Sequence, residues 1–370
     1  MKMDMPCLLV LAMPIWRLLL ISVWPNVVMG APPLFPAMFV FGDSLVDDGN
    51  NNYFLNSLAK ANYAPYGIDF PGGATGRFSN GKTPVDFLGE ILGLPYLPAF
   101  VNTLSEGSKV SSGVNYASAA SGILDETGQN LGGRFNMGEQ VRNFQTTLTQ
   151  LRNQMGNKNL SQHLAKSLVV VNLGSNDYLN NYLLPELYAT SFIYNPKDYA
   201  DLLINRYKTQ ILDLQSLGLR KFLLGGIGPL GCIPNQLATG FTPPGQCRSF
   251  SNDIAALFND RLRSLVDEFN ADHNASLFVY GNTFGAFFDI INHPNTYGFS
   301  VSDRACCGVG RNQGLITCLP LSIPCTNREE YVFWDAFHPS QAANEVLARR
   351  AFSGPPSDCY PINVKHMALM

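Results

Sequence analysis

Ala37-Met38-Phe39-Val40-Phe41-Gly42-Asp43-Ser44-Leu45 is the stretch that decides the fold. Its first five residues are apolar without a break, whereas a strand with one wet face would alternate polar and apolar. An unbroken run of this kind, rich in aromatic and branched side chains and stopped by glycine, reads as a strand buried on both faces. The runs Leu168–Leu173, Lys221–Leu224 and Ser276–Tyr280 repeat the pattern. Amphipathic stretches separate them. Thr83-Pro84 offers an N-cap and a first-turn proline ahead of Val85, Leu88, Ile91 and Leu92. Pro196 to Leu217 carries Ile204, Tyr207, Ile211 and Leu214 on one stripe and stops at Gly218. Ser251 to Phe269 and Ser340 to Phe352 complete the helical set. Strands alternating with helices predict an α/β fold, a mostly parallel sheet with helices on both faces. No repeat or low-complexity linker divides the chain, so a single domain is expected.

In open α/β sheets the ligand lies outside the carboxyl ends of the strands, so chemistry is expected just after the apolar runs. Ser44 follows the first, on a turn into an expected helix, with its backbone N–H among that helix's unpaired donors. Alone, Ser44 could be no more than an N-cap. Asn115-Tyr116-Ala117-Ser118-Ala119-Ala120-Ser121-Gly122-Ile123 is a run of small residues that lets a backbone N–H approach a ligand, or simply packs as a tight turn. Gly174-Ser175-Asn176-Asp177 follows the Leu168 run. There Asn176 can donate its amide to a developing oxyanion, or Asn176 and Asp177 can cap a helix. Trp334-Asp335-Ala336-Phe337-His338-Pro339-Ser340 supplies a base. Histidine ordinarily titrates near ~6.5, which suits it to take and return a proton. A carboxylate three residues earlier can hold the other ring nitrogen and fix its tautomer. Of the 5 histidines, His163, His273, His293 and His366 lack such a setting.

Composition narrows the class. The 370 residues are 46% hydrophobic and 14% charged, with a formal net charge of −3. That leaves no basic footprint for nucleic acid. Lys2, apolar runs at Leu8–Trp16 and Leu18–Val28, and Gly30-Ala31 before Pro32 read as a secretory signal peptide over residues 1–30. Arg17 interrupts the apolar stretch, and a membrane anchor is the alternative. No later segment has the ~18 apolar residues a span needs, so a soluble domain over 31–370 is expected. Cys7 falls in the leader. Cys232, Cys247, Cys306, Cys307, Cys318, Cys325 and Cys359 lie in the second half, as disulfide staples would. Cys232 with Cys247 is the first expected pair, and one thiol is left over. A zinc site built from Cys306, Cys307, Cys318 and Cys325 lacks the paired spacing. Sequons at Asn159 and Asn274 fit a secreted glycoprotein. Gly226, Gly228 and Gly231 mimic a dinucleotide fingerprint, but Pro234 would break the helix that must follow. The G-x-S-x-G elbow is absent around Ser44.

The order Gly42-Asp43-Ser44-Leu45, Asn115 to Gly122, Gly174-Ser175-Asn176-Asp177 and Asp335-x-x-His338 resembles the plant-type GDSL esterase/lipase family of the SGNH hydrolases. Gly76-Arg77-Phe78-Ser79-Asn80-Gly81 and Gly226 to Cys232 extend the likeness over nearly the whole mature chain. Fewer glycines precede Gly122 than in many relatives. The resemblance implies a flavodoxin-like three-layer α/β/α sandwich, Ser44 as nucleophile, His338 as general base and Asp335 as its orienter. It further implies an oxyanion hole from Ser44 N–H, Gly122 N–H and the Asn176 side chain, with neither metal nor cofactor. The expected substrate is a small-molecule or lipid ester, cleaved by a secreted hydrolase of the cell wall or apoplast through an acyl-enzyme. An acyltransferase sharing that acyl-enzyme, or a non-catalytic extracellular binding protein, are the alternatives. The acyl-chain length is not legible, and Phe78, Tyr178 and Phe337 suit either a substrate wall or a core.

Overall fold

The structure, a computed structural model, describes residues 32–370 except 106, 107, 241, 242, 244 and 274. The expected signal peptide, Cys7 and the sequon at Asn274 lie outside the described residues. Pro33–Met370 forms one compact unit.

Five parallel strands and one antiparallel strand make the main sheet. They are β1 (Met38–Gly42), β2 (Gly113–Asn115), β3 (Leu168–Asn172), β4 (Lys221–Gly225), β5 (Leu277–Gly281) and the antiparallel β8 (Cys359–Tyr360). Between β5 and β8 in the chain, β6 (Val301–Ala305) and β7 (Tyr331–Phe333) pair separately. The main sheet runs β2-β1-β3-β4-β5-β8. This is the flavodoxin-like order with one strand added, and it reverses direction of growth between β1 and β3.

Alternation along each strand divides the core in two, as a sheet with period two must. Phe39, Phe41, Val169, Val171, Phe222, Leu224 and Phe278 face one way. They pack against α2 (Met137–Lys166), α3 (Pro196–Ser216) and α4 (Ser249–Asp272), whose Phe144, Tyr207 and Phe258 are fully buried. Met38, Val40, Val170, Leu223 and Val279 face the other layer, with Val85, Leu88 and Leu92 of α1 (Pro84–Leu92). Ala348 of α6 (Gln341–Ser353) lies in that layer too, and α5 (Thr283–Asn292) follows β5. Each large apolar side chain so buried contributes about 1.5–3 kcal/mol. The expected three-layer α/β/α sandwich is therefore the observed one.

Local signals explain the helix starts. Thr83 Oγ1 accepts from Asp86 N–H, and the Asp86 carboxylate accepts from Thr83 N–H, a reciprocal capping box in front of Pro84. Ser340 caps α6 by accepting from Ala343 N–H. The sequence does not announce the longer helices α2 and α5, nor short ones such as Thr190–Ile193 and Val364–Ala368. The expected helix after Ser44 is replaced by a hydrogen-bonded turn in which Val46 N–H donates to the Asp43 carbonyl at 3.2 Å. Pro234 does not break a helix but opens the short one Pro234–Thr239, where its missing N–H costs nothing.

Cys232 is bonded to Cys247, Cys306 to Cys325 and Cys307 to Cys318, which takes up the thiols that a zinc site would need. Cys359 is free and buried. Among the described residues, no helix is long and apolar enough to cross a membrane.

Candidate active site

The carboxyl ends of β1, β3, β4 and β5 are level, with Gly42, Asn172, Gly225 and Gly281 in register. Ser44 leaves β1 and Asn176 leaves β3, on either side of the switch point. His338 arrives from the opposite end of the sequence. Its Nε2 lies 2.7 Å from Ser44 Oγ, and its Nδ1 lies 2.8 Å from both oxygens of Asp335. Three residues that sequence reasoning paired across nearly the whole chain thus form one hydrogen-bonded line.

The loop holding His338 is tightly specified. Asp335 Oδ1 accepts from Phe337 N–H at 2.9 Å and His338 N–H at 2.8 Å, while Trp334 N–H donates to the His338 carbonyl at 2.9 Å. Asp335 is fully buried. Burial alone would raise its carboxyl pKa, but His338, the Tyr66 hydroxyl and the Phe337 N–H together hold it below the ordinary value. The Phe78 ring lies 4.9 Å from the imidazole, centroid to centroid. Phe78 is itself anchored by its neighbour Arg77, whose guanidinium grips Asp86 with two bonds of 2.7 and 2.8 Å. Asn80 accepts from Gln341 N–H at 2.8 Å, tying the same segment to the start of α6.

Asn176 sits on a single helical turn, Ser175–Asp177. Asn180 Nδ2 donates to Asn176 Oδ1 at 2.7 Å, which fixes the amide so that Nδ2 is the free-facing end; one of its hydrogens goes to the Ser121 carbonyl at 2.9 Å. Asp177 does not cap the turn. It reaches across to accept from Ile123 N–H, Leu124 N–H and the Thr127 hydroxyl at 2.7 to 3.0 Å, and so pins the small-residue loop.

Gly122 lies in that loop, two residues after Ala120. Ala119 and Ala120 line the pocket, and Gly122 is not in its wall. A Cβ on Gly122 would meet Thr127 Cγ2 at 2.4 Å and Asp177 Oδ1 at 2.7 Å, so its glycine is explained by packing behind the pocket. Ala120 instead has φ 65°, a left-handed conformation in which a Cβ is strained. Among the described residues, none of Ser44 N–H, Ala120 N–H and Gly122 N–H has an acceptor.

The cavity beside Ser44 measures about 240 Å³. Its walls are mostly apolar, from Leu45, Leu179, Leu230, Ile233, Phe287 and Phe337, with Phe78 beside the imidazole. Tyr178, by contrast, is buried in the core among Tyr182 and Tyr199. Asp43, next to Ser44, is wholly buried; burial raises its carboxyl to about 7, and its Oδ2 has no hydrogen-bond partner among the described residues.

Two residues had no sequence signal. Tyr66 donates to Asp335 Oδ2 at 2.6 Å. Gln140, on α2, donates from Nε2 to the Gly42 carbonyl and accepts at Oε1 from Gly42 N–H, both at 2.9 Å, while Nε2 also reaches Ser121 Oγ and the Phe135 carbonyl.

Comparison with known proteins identifies the family. The family model described as GDSL-like Lipase/Acylhydrolase matches residues 38–351. One GDSL esterase/lipase of Arabidopsis thaliana is 58% identical over 339 residues, covering 90% of this chain and 88% of the relative. A second is 56% identical over 346 residues, covering 94% and 92%. The Arabidopsis protein named GDSL esterase/lipase 7 is 51% identical over 340 residues, covering 91% and 93%. Among solved structures, the lipase Lip_vut3 from goat rumen metagenome aligns over 85% of this chain and 94% of that one, at 10% identity and a TM-score of 0.38. On the family model and the curated relatives, the chain belongs to the GDSL-like lipase/acylhydrolase family, a family of ester-hydrolysing serine hydrolases.

Proposed function

We propose that this protein is a secreted carboxylic ester hydrolase that works through an acyl-enzyme on Ser44. The observation that carries the reading is the continuous line from Ser44 Oγ through His338 to Asp335. In this mechanism His338 Nε2 removes the Ser44 proton as Oγ attacks the acyl carbonyl. Asp335 keeps the proton-bearing nitrogen turned away and stabilises the imidazolium that forms. His338 then returns the proton to the departing alkoxide. Water, deprotonated by the same nitrogen, attacks the acyl-enzyme and releases the acid. The developing oxyanion is held by Ser44 N–H, Asn176 Nδ2 and a backbone N–H of the turn from Ala120 to Gly122, Gly122 being the donor that the sequence singled out.

The mostly apolar walls favour esters with a hydrocarbon acyl or alcohol chain, small-molecule or lipid, over sugars or charged substrates. The disulfides support passage through an oxidising compartment, and hence delivery to the cell wall or apoplast. A fluorophosphonate probe tests the chemistry: the protein is expected to label covalently and Ser44→Ala to lose both labelling and at least ~10⁴ of kcat. Labelling that persists in Ser44→Ala would refute the assignment. A series of acyl esters from acetate to long chains, with and without added alcohol, would then define chain length and separate hydrolysis from acyl transfer.

A further inference from the structure

Asp335 has no exposure to water, so every lone pair of its carboxylate must find a donor within the protein. Its own loop serves Oδ1 twice over, with two backbone N–H groups, and the imidazole serves both oxygens. The remaining side of Oδ2 is met by the Tyr66 hydroxyl at 2.6 Å. Tyr66 comes from far away in the chain and is 2% exposed, its ring held edge-on among Tyr63, Phe78 and Trp334. The segment is itself moored to a disulfide-bonded loop: Tyr63 Oη donates to the carbonyl of Cys318, which is bonded to Cys307.

We propose that Tyr66 is a positioning residue for ester hydrolysis, acting through Asp335: its hydroxyl fixes the carboxylate against the imidazole and moderates how strongly that carboxylate stabilises a protonated His338. The proposal rests on Ser44, His338 and Asp335 being the reacting set.

The direction of the effect follows from charge. A hydroxyl donating to Oδ2 draws negative charge toward itself, so less is left to hold an imidazolium. Tyr66 cannot surrender its own proton, because burial and then the Asp335 charge push its phenol well above the usual value; it acts as a donor alone. The other titratable groups acting on the pair are Asp43, whose buried carboxyl interacts with His338, and Tyr63, on the same segment as Tyr66. Tyr66 is not among the groups acting on Asp43; Tyr63 loses the Tyr66 hydrogen bond that lowers its phenol, but burial and the Asp335 charge still raise it, so it stays a neutral phenol between pH 5 and 9. Without that hydroxyl, Oδ2 keeps only its bond from His338 Nδ1. The carboxylate is then a stronger partner for the imidazolium and freer to rotate away from it.

Tyr66→Phe, which keeps the ring and its packing, tests this with p-nitrophenyl acetate between pH 5 and 9. The acid limb of kcat/KM is expected to move up by ~0.5 pH unit, and kcat to fall about tenfold with KM nearly constant. An acid limb that stays in place overturns the proposal even if kcat drops, since mere loosening of the structure lowers turnover without moving the limb. Should Tyr66→Phe fail to fold, site-specific 3-fluorotyrosine at position 66 keeps the hydroxyl and makes it a stronger donor. The limb must then move to lower pH, and no movement overturns the idea equally. Ser44→Ala, run in parallel, separates the two levels. If it is inert while the Tyr66 variants leave the limb unmoved, only the role of Tyr66 fails. If Ser44→Ala still turns over, the reacting set itself is wrong and the role of Tyr66 falls with it.

Discussion

Gln140→Met would test how the proposed nucleophile, Ser44, is held in place. Methionine keeps the length of glutamine and removes both polar ends. Gly42 N–H, buried in the middle of the protein, then loses its acceptor at 2.9 Å, and the Phe135 carbonyl loses a donor at 3.1 Å. The Gly42 carbonyl keeps one partner, because Ser118 N–H still donates to it at 3.0 Å. An orphaned buried donor costs about 1–3 kcal/mol, and a partly buried carbonyl adds less, so the total comes to about 2–4 kcal/mol. In a domain of this size that lowers Tm by about 3–6 °C. Turnover should suffer beyond stability. Gly42 is two residues from Ser44, and Gln140 also touches Ser121, so one amide holds the strand end and the small-residue loop together. A displacement of ~1 Å at a reacting atom can cost ~10² in rate, so kcat is expected to fall at least tenfold with KM little changed. Calorimetry and initial rates on the same preparation measure both. Gln140→Glu sharpens the test: its carboxylate would face two carbonyls, so it should be the worse variant at pH 8 and recover toward pH 5, where a protonated carboxyl can donate again. If Gln140→Met melts within about 1 °C of the parent and turns over within twofold, the clamp is incidental and the reasoning fails.

Other outcomes follow from the same geometry. Asn176→Ala should lower kcat by ~10² to 10³ with little change in KM, if the amide donates only once charge develops on the substrate oxygen; steady-state rates near those of the parent would remove Asn176 from the oxyanion hole. Burial raises the Asp43 carboxyl to about 7 in the folded protein, from an unfolded value of 3.8. A raised folded pKa means that its contribution is fully present below pH ~4 and lost as pH climbs through ~7; melting curves should therefore show Asp43→Asn losing less stability than the parent between pH 5 and pH 8. Ala120→Gly releases a left-handed φ of 65°. The relieved strain of about 1–2 kcal/mol is partly offset by the extra freedom of glycine in the unfolded chain, so denaturant unfolding should show a gain below ~1 kcal/mol, not a loss.

The four central strands of the sheet are legible because burial on both faces leaves a plain trace, whereas the short edge strands Gly113–Asn115 and Cys359–Tyr360 leave none. Met38–Gly42, Leu168–Asn172, Lys221–Gly225 and Leu277–Gly281 each fall within one residue of the apolar runs that announced them. The helix α2 left no such trace. Its buried face includes Gln140 and Thr147 where a regular stripe would carry leucine, and Gly156 breaks its helical geometry at φ 75°. The helix α5, TFGAFFDIIN, is apolar nearly all round and begins two residues after a strand, so no periodicity separates it from its surroundings. In the site, residues at strand ends were readable, since topology dictates where they must go. At Gly122 the sequence cannot separate a glycine needed for packing against Thr127 from one that brings an N–H to a ligand, because both need a residue without a Cβ. Tyr66 is a lone tyrosine in a loop, and only the folded chain brings it to Asp335.

The hydroxyl and the imidazole that meet in this protein are separated by 294 positions. A ribosome makes the first near the start of its work and the second near the finish. On the proposed mechanism, the growing polypeptide therefore holds only half of the reacting pair through most of translation and cannot cleave an ester. By the same reasoning a prematurely terminated chain lacking residue 338 would be an inert fragment, a safeguard that arises from the order of residues alone.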